Sequence, residues 1–167
     1  MGGSSARRLI ALAALSSFLL PGERGQENIA ALQAQFRGEN DPVRKVKVLS
    51  KLGDAQFQLM RKETDAGNYA QALQALEDYR DEVGAAEAAL KATGVDPERR
   101  PRGFKQLQIH VRKSLREVDQ TILALPSEQR PPFEAIHREL LRVEKELIDL
   151  LFPRQPGKNP DKEKSKG

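Results

Sequence analysis

One pair of residues in this sequence has the spacing of a helical metal-ligand motif. Glu134 and His137 are three residues apart, which places a carboxylate and an imidazole on one face of a helix. A di-iron helical bundle needs two such motifs and two further glutamates that point inward. The other histidine, His110, has Leu107 three positions before it. The sequence therefore predicts no metal site, and we expect His137 to lie at the surface.

Signatures of catalysis and cofactor binding are missing as well. The chain has no cysteine, which excludes disulfides, thiolate metal sites, covalent haem attachment and cysteine nucleophiles. Neither histidine accompanies a serine in a nucleophile-like turn, and no glycine-rich phosphate loop follows a strand pattern. We therefore predict no catalytic residues, no cofactor and a protein that is not an enzyme.

A run of basic residues is the strongest candidate for a binding surface. It comprises seven side chains in and before one predicted helix, namely Arg99, Arg100, Arg102, Lys105, Arg112, Lys113 and Arg116. Without the first 22 residues the chain would carry 26 basic and 24 acidic residues, a balance that argues against nucleic acid. The sequence thus favours a protein partner. A nucleic-acid partner is the alternative if the protein is cytosolic, and homo-oligomerisation stays open.

The elements that carry these residues are helices. The stretch Gly67–Gly94 predicts one long amphipathic helix, because its apolar residues recur in steps of three and four. Similar patterns predict a short helix over 26–37 and long helices over 42–66, 103–125 and 127–152. Leu141, Ile148 and Leu151 widen the apolar stripe of the last helix, which we therefore expect to be the most buried of the set. The sequence predicts an all-α fold, an antiparallel bundle of four long helices plus a short N-terminal helix.

Residues at the predicted helix ends have the types that capping requires. Asp41 and Pro42 suit the N-cap and first position of one helix, and Ser127 suits the N-cap of the last. Gly67 can adopt the left-handed conformation that ends a helix, and Asn68 can cap the next one. In addition, Gly53 lies inside a predicted helix, where it either permits a close helix crossing or merely weakens the helix.

Charge predicts which helices are neighbours. Residues 65–93 contain six acidic and two basic side chains, whereas residues 98–125 contain three acidic and seven basic ones. Exposed ion pairs are worth about 0.2–1 kcal/mol each, enough to influence which helices pack together. We therefore expect the acidic helix to lie beside the basic one and to neutralise part of its charge.

Residues 1–22 have the pattern of an export signal. Arg7 and Arg8 precede Leu9–Leu20, a run of 12 residues without charge. Such a helix is about 18 Å long, against roughly 30 Å of bilayer hydrocarbon, so a membrane span is not expected. The pattern predicts a signal peptide, although no Ala-x-Ala sequence precedes Glu23 to fix the cleavage site. An uncleaved anchor and a misassigned start are the alternatives.

Two short stretches resemble known families. Leu52-Gly53 and the later residues Gly67-Asn68-Tyr69, Ala72, Leu73, Leu76 and Tyr79 resemble the two helices of a tetratricopeptide repeat, which implies a helical hairpin. No second copy follows at the offset of about 34 residues that this repeat has, so an ordinary helical hairpin is the alternative. The stretch Leu125–Arg130 resembles the helix start of small periplasmic stress proteins of the Spy/CpxP type, which implies a chaperone-like role.

These observations define the functional hypothesis. We expect a signal peptide (1–22), a helical bundle domain (23–152) and a disordered charged tail (153–167). The protein is expected to be periplasmic or secreted and to act by protein–protein contact without enzymatic activity. A holdase-type chaperone and a cytosolic nucleic-acid binder are the two alternatives.

Overall fold

The protein is all-helical over residues 23–153, the part of the chain that this computed structural model describes. Five α-helices follow one another, and the described residues contain no strand. Their bounds are α1 Glu23–Gly38, α2 Pro42–Asp65, α3 Tyr69–Lys91, α4 Arg102–Ala124 and α5 Arg130–Leu151, with a 3₁₀ turn at Ser127–Gln129. The predicted all-α class is therefore confirmed. The predicted signal peptide (1–22) and the predicted tail beyond Pro153 lie outside the described residues.

Helix ends follow the sequence signals at some positions and depart from them at others. Asp41 caps α2, since its Oδ1 accepts a hydrogen bond of 2.8 Å from Arg44 N, and Gly67 adopts a φ of 76°. Asn68 occupies the N-cap position of α3 as predicted, but its side chain makes no capping hydrogen bond and donates to Glu63 Oε2 instead. The prediction for Ser127 is wrong, because the 3₁₀ turn delays the start of α5 to Arg130.

The helices pack as an interconnected set. α2 contacts α1, α3 and α4, and α5 contacts both α3 and α4. Ion pairs give the direction of the α2–α4 contact: Asp54 of α2 binds Lys113, and Arg61, further along α2, binds Glu117. Because the residue numbers rise together along both helices, α2 and α4 run in the same direction. These contacts place one side of α4 against α2 and leave another side exposed.

Gly53 allows three helices to meet in the core. A Cβ atom at Gly53 of α2 would lie 2.8 Å from Cε2 of Tyr79 in α3 and 2.8 Å from Nε2 of His110 in α4. Real Cβ contacts are essentially never that short, so only glycine allows the two rings to approach the α2 backbone. The close-crossing interpretation of Gly53 is confirmed.

α5 is less deeply buried than its apolar pattern predicted. Leu151 is buried, but Leu141 is 42% exposed and Ile148 is 37% exposed. The physical reason is that α3 and α4 cover only one side of α5. The side chains of Leu141 and Ile148 lie outside the covered area. The broad apolar stripe thus leaves apolar surface in contact with solvent.

Candidate interaction surface

α4 presents a basic face to solvent. Five exposed residues recur in steps of three and four and therefore lie on one side of the helix. They are Arg102, Lys105, Ile109, Arg112 and Arg116, called the α4 surface below. Ile109 stands in the middle of the cations and is 56% exposed. The α4 surface thus combines positive charge with an uncovered apolar side chain.

Most cations of the α4 surface have no ion-pair partner among the described residues. Arg112 approaches Glu144 of α5 at 3.9 Å and remains 65% exposed. No carboxylate of residues 28–153 forms an ion pair with Lys105 or Arg116. Their charges are therefore available to a partner.

The other predicted surface residues lie around this face. Lys113 points toward α2, where its Nζ binds Asp54 Oδ1 at 2.9 Å. Arg99 precedes α4 and approaches Asp96 Oδ2 at 3.5 Å. Arg100 lines a largely apolar cavity of about 540 Å³ between the ends of α2, α3 and α4, and Arg102 of the α4 surface borders the same cavity. The structure thus places four of the seven predicted cations on one helix face and the other three at its margins.

The acidic helix α3 lies beside the basic helix α4, as expected, but the expected neutralising ion pairs between them are not found among the described residues. Charged residues of α3 pair with α5 instead: Arg80 with Glu139 at 3.5 Å, and Lys91 with Glu146. α3 meets α4 through its buried face, where the Tyr79 hydroxyl donates to Ser114 Oγ at 2.7 Å. No ion pair joins α3 to α4 within the described part of the chain.

A second concave region lies between α2 and α4, and the sequence did not reveal it. This α2–α4 groove has a volume of about 440 Å³ and is lined by Val46, Lys47, Lys51, Ile109, His110 and Lys113 among others. The two α2 lysines are four residues apart, which was a signal in the sequence. However, only the packing of α2 beside α4 brings Lys113 and His110 to the same place.

Burial controls the ionisation of two groups near the core crossing. Burial lowers the pKa of His110 to about 4, although the carboxylate of Asp54 opposes this shift. Burial also raises the pKa of the Tyr79 hydroxyl well above its usual range, and the hydrogen bond to Ser114 opposes this. Both side chains are therefore neutral at pH 7, which suits groups packed against apolar neighbours.

His137 occupies a different environment from His110. Its Nε2 lies 2.9 Å from Asp119 Oδ1, and 19% of its side chain is exposed. Within residues 28–153, no three histidine, aspartate or glutamate side chains are grouped so that they could hold a metal ion. Nor does any helix between residues 23 and 153 combine the length and apolar character that a membrane crossing requires.

Comparison with known proteins adds no family. No protein-family model matches the chain, and neither a curated protein nor a solved structure shows significant similarity to it.

Proposed function

We propose that this is an exported, non-enzymatic helical protein that acts by binding another protein through the α4 surface. The supporting observation is Ile109, an apolar side chain exposed between Lys105, Arg112 and Arg116. Protein interfaces are enriched in arginine and in apolar anchors, and an apolar side chain framed by cations suits a partner that has an acidic rim around an apolar centre. The export part of the proposal rests on the sequence pattern of residues 1–22.

We also infer that α2–α3 and α4–α5 are two helical hairpins packed side by side within a four-helix bundle, with α1 against α2. The α2–α4 ion pairs support this arrangement, as do Arg80–Glu139 and Lys91–Glu146, whose residue numbers rise together along α3 and α5. Between α4 and α5 the residue numbers run in opposite senses, because Arg112 pairs with Glu144 and Asp119 with His137. This is the pattern of two antiparallel helices. The arrangement leaves the α4 surface uncovered by any other described helix.

The experiment is a capture assay with envelope extract, quantified for a defined partner band. Lys105→Glu with Arg116→Glu should abolish capture, because both substitutions reverse charges that have no ion pair among the described residues. Arg138→Glu with Lys145→Glu on α5 is the control, since these positions are also exposed and the charge change is equal. Equal capture by both variants, or purified protein that turns over a substrate, would reject the proposal.

A nucleic-acid partner is the second candidate, and one structural observation favours it. No ion pair with α3 neutralises the cations of the α4 surface among the described residues, so one of the arguments against this function is removed. Phosphate binding by several cations weakens steeply with added salt, because counterions are released on binding. Affinity for nucleic acid that falls in this way, and that Lys105→Glu with Arg116→Glu abolishes, would replace the protein partner with nucleic acid.

A holdase-type chaperone is supported by a different surface. Leu141 and Ile148 are exposed and lie seven residues apart, which places them on one side of α5, and Phe152 is exposed just beyond the end of the helix. Exposed apolar surface of this kind can bind unfolded chains. Suppression of client aggregation at equimolar amounts, lost on Leu141→Ser with Ile148→Ser, would favour this role over a specific partner.

A further inference from the structure

Three lysines and no carboxylate are among the described residues that line the α2–α4 groove. Lys47 and Lys51 lie four residues apart on α2, so their ammonium groups share one helix face and repel each other. Lys113 faces them from α4 and is bound to Asp54. No carboxylate of residues 28–153 forms an ion pair with Lys47 or Lys51. A bound anion would relieve this repulsion.

The walls of the groove are apolar. Val46 is buried beneath it on the α2 side, and Ile109 stands exposed on the α4 side. A ligand that covered Ile109 would remove apolar surface from water, which is favourable in proportion to the area covered. The groove therefore suits a molecule that has an apolar body as well as a negative charge.

Two polar side chains at the groove have buried atoms without hydrogen-bond partners. They are Oε1 of Gln106, which lines the groove, and Nε2 of His110, which faces the α2 backbone at Gly53 on the core side of the ring. The Gln106 oxygen is therefore the one that a groove ligand or a water molecule could reach. Unpartnered buried polar atoms are rare in folded proteins and often mark a place where a water molecule or ligand belongs. The neutral ring of His110 would also sense a ligand, because a nearby anion favours the charged imidazolium.

We propose that the α2–α4 groove binds a small amphipathic organic anion, a monocarboxylate with an apolar body. The carboxylate lies between Lys47 and Lys51, and the apolar body packs against Val46 and Ile109. The groove volume of about 440 Å³ falls within the range of small-molecule sites, roughly 300–1,000 Å³. This site goes beyond the proposed function and does not rest on it.

The test is a titration of the full-length chain with octanoate, followed by calorimetry and by two-dimensional amide NMR. Octanoate should bind, with the largest shifts at Ser50, Gln106 and Ile109. Lys47→Gln with Lys51→Gln should weaken binding about tenfold, because two exposed ion pairs are lost. Octanamide, which has the same apolar body without the charge, should bind more weakly by a similar factor.

Two control variants separate binding in the groove from a general effect of surface charge. Arg138→Gln with Lys145→Gln on α5 should bind octanoate as the wild type does, and so should the Lys105→Glu, Arg116→Glu variant of the α4 surface. Octanoate should also raise the pKa of His110 in the wild type. Equal affinity for octanamide, shifts confined to the cavity near Arg100, or no binding at millimolar octanoate would each overturn the proposal.

Discussion

The Tyr79 hydroxyl donates a hydrogen bond of 2.7 Å to Ser114 Oγ and thereby joins α3 to α4 inside the core. Ser114 Oγ in turn donates to the backbone carbonyl of His110 at 3.0 Å, so each of the two buried hydroxyls has an acceptor for its proton. The ring of Tyr79 also lies edge-on to Phe57 of α2, with centroids 4.8 Å apart. Tyr79 of α3 therefore contacts both α2 and α4 in the core.

Tyr79→Phe is expected to lower the free energy of unfolding by about 1 kcal/mol, the usual net value of a buried hydrogen bond. Ser114→Ala should cost as much or more, because it leaves the buried hydroxyl of Tyr79 without its partner. Denaturant titrations of both single variants and the double variant would give the coupling energy. Tyr69→Phe, at a half-buried tyrosine without a side-chain hydrogen bond to described residues, is the control. If the losses of unfolding free energy in the two single variants add up to the loss in the double variant, the hydrogen bond does not contribute to stability.

Two glycine-to-alanine substitutions are expected to have opposite effects. Gly53→Ala should destabilise the protein by about 1–2 kcal/mol, because overpacking against His110 and Tyr79 exceeds the gain in helix propensity. Gly84→Ala should stabilise by up to about 1 kcal/mol, since apart from the adjoining backbone of its own helix no atom lies within 4 Å of the new Cβ. A lower melting temperature for Gly53→Ala and a higher one for Gly84→Ala would confirm the close approach of the helices at Gly53. Equal shifts in the two variants would contradict it.

Acid is expected to weaken the fold through His110. The folded state resists protonation of this ring down to a pKa of about 4, whereas the unfolded chain binds the proton near pH 6.5. The unfolded state therefore binds more protons between these values, and stability falls as pH drops from about 6.5 to 4, by up to roughly 3 kcal/mol. Urea unfolding of the wild type and of His110→Gln at about pH 7 and about pH 4.5 would measure this.

Other charged groups near His110 also contribute to the pH dependence of stability, and the control must keep them unchanged. Asp54 and Lys113 act on the ring with opposite signs, and burial raises the pKa of Glu82, which favours the folded state in acid. The His110→Gln variant keeps all three, so the difference between the two proteins isolates the histidine. An equal loss of stability in wild type and variant would contradict the assignment.

Export is expected to shorten the chain. If residues 1–22 are a signal peptide, the protein recovered outside the cytoplasm should have an intact mass that lacks about the first 22 residues. Mass spectrometry of native protein from fractionated cells measures this directly. Full-length protein in the soluble cytoplasm would contradict export and strengthen the nucleic-acid alternative, whereas full-length protein in the membrane fraction would indicate an anchor.

The helices could be predicted from the sequence because the signals for them are local. Asp41 and Gly67 determine helix ends through their own conformations, and the apolar residues of α3 recur at the helical period. Which helices pair by charge could not be predicted, since the contact of α2 with α4 depends on long-range packing. For the same reason the cations of α4 were evident from the sequence, but the α2–α4 groove and the buried state of His110 were not.

Site-specific photo-crosslinking in the producing cells tests most directly whether the α4 surface binds a protein partner. A photoreactive residue at Ile109 should give one discrete, protease-sensitive adduct, while the same residue at Gln71, exposed on α3, should not. The adduct should disappear when Lys105→Glu and Arg116→Glu are added. A nuclease-sensitive adduct at Ile109, or the same adducts from both positions, would contradict a protein-binding role for this surface.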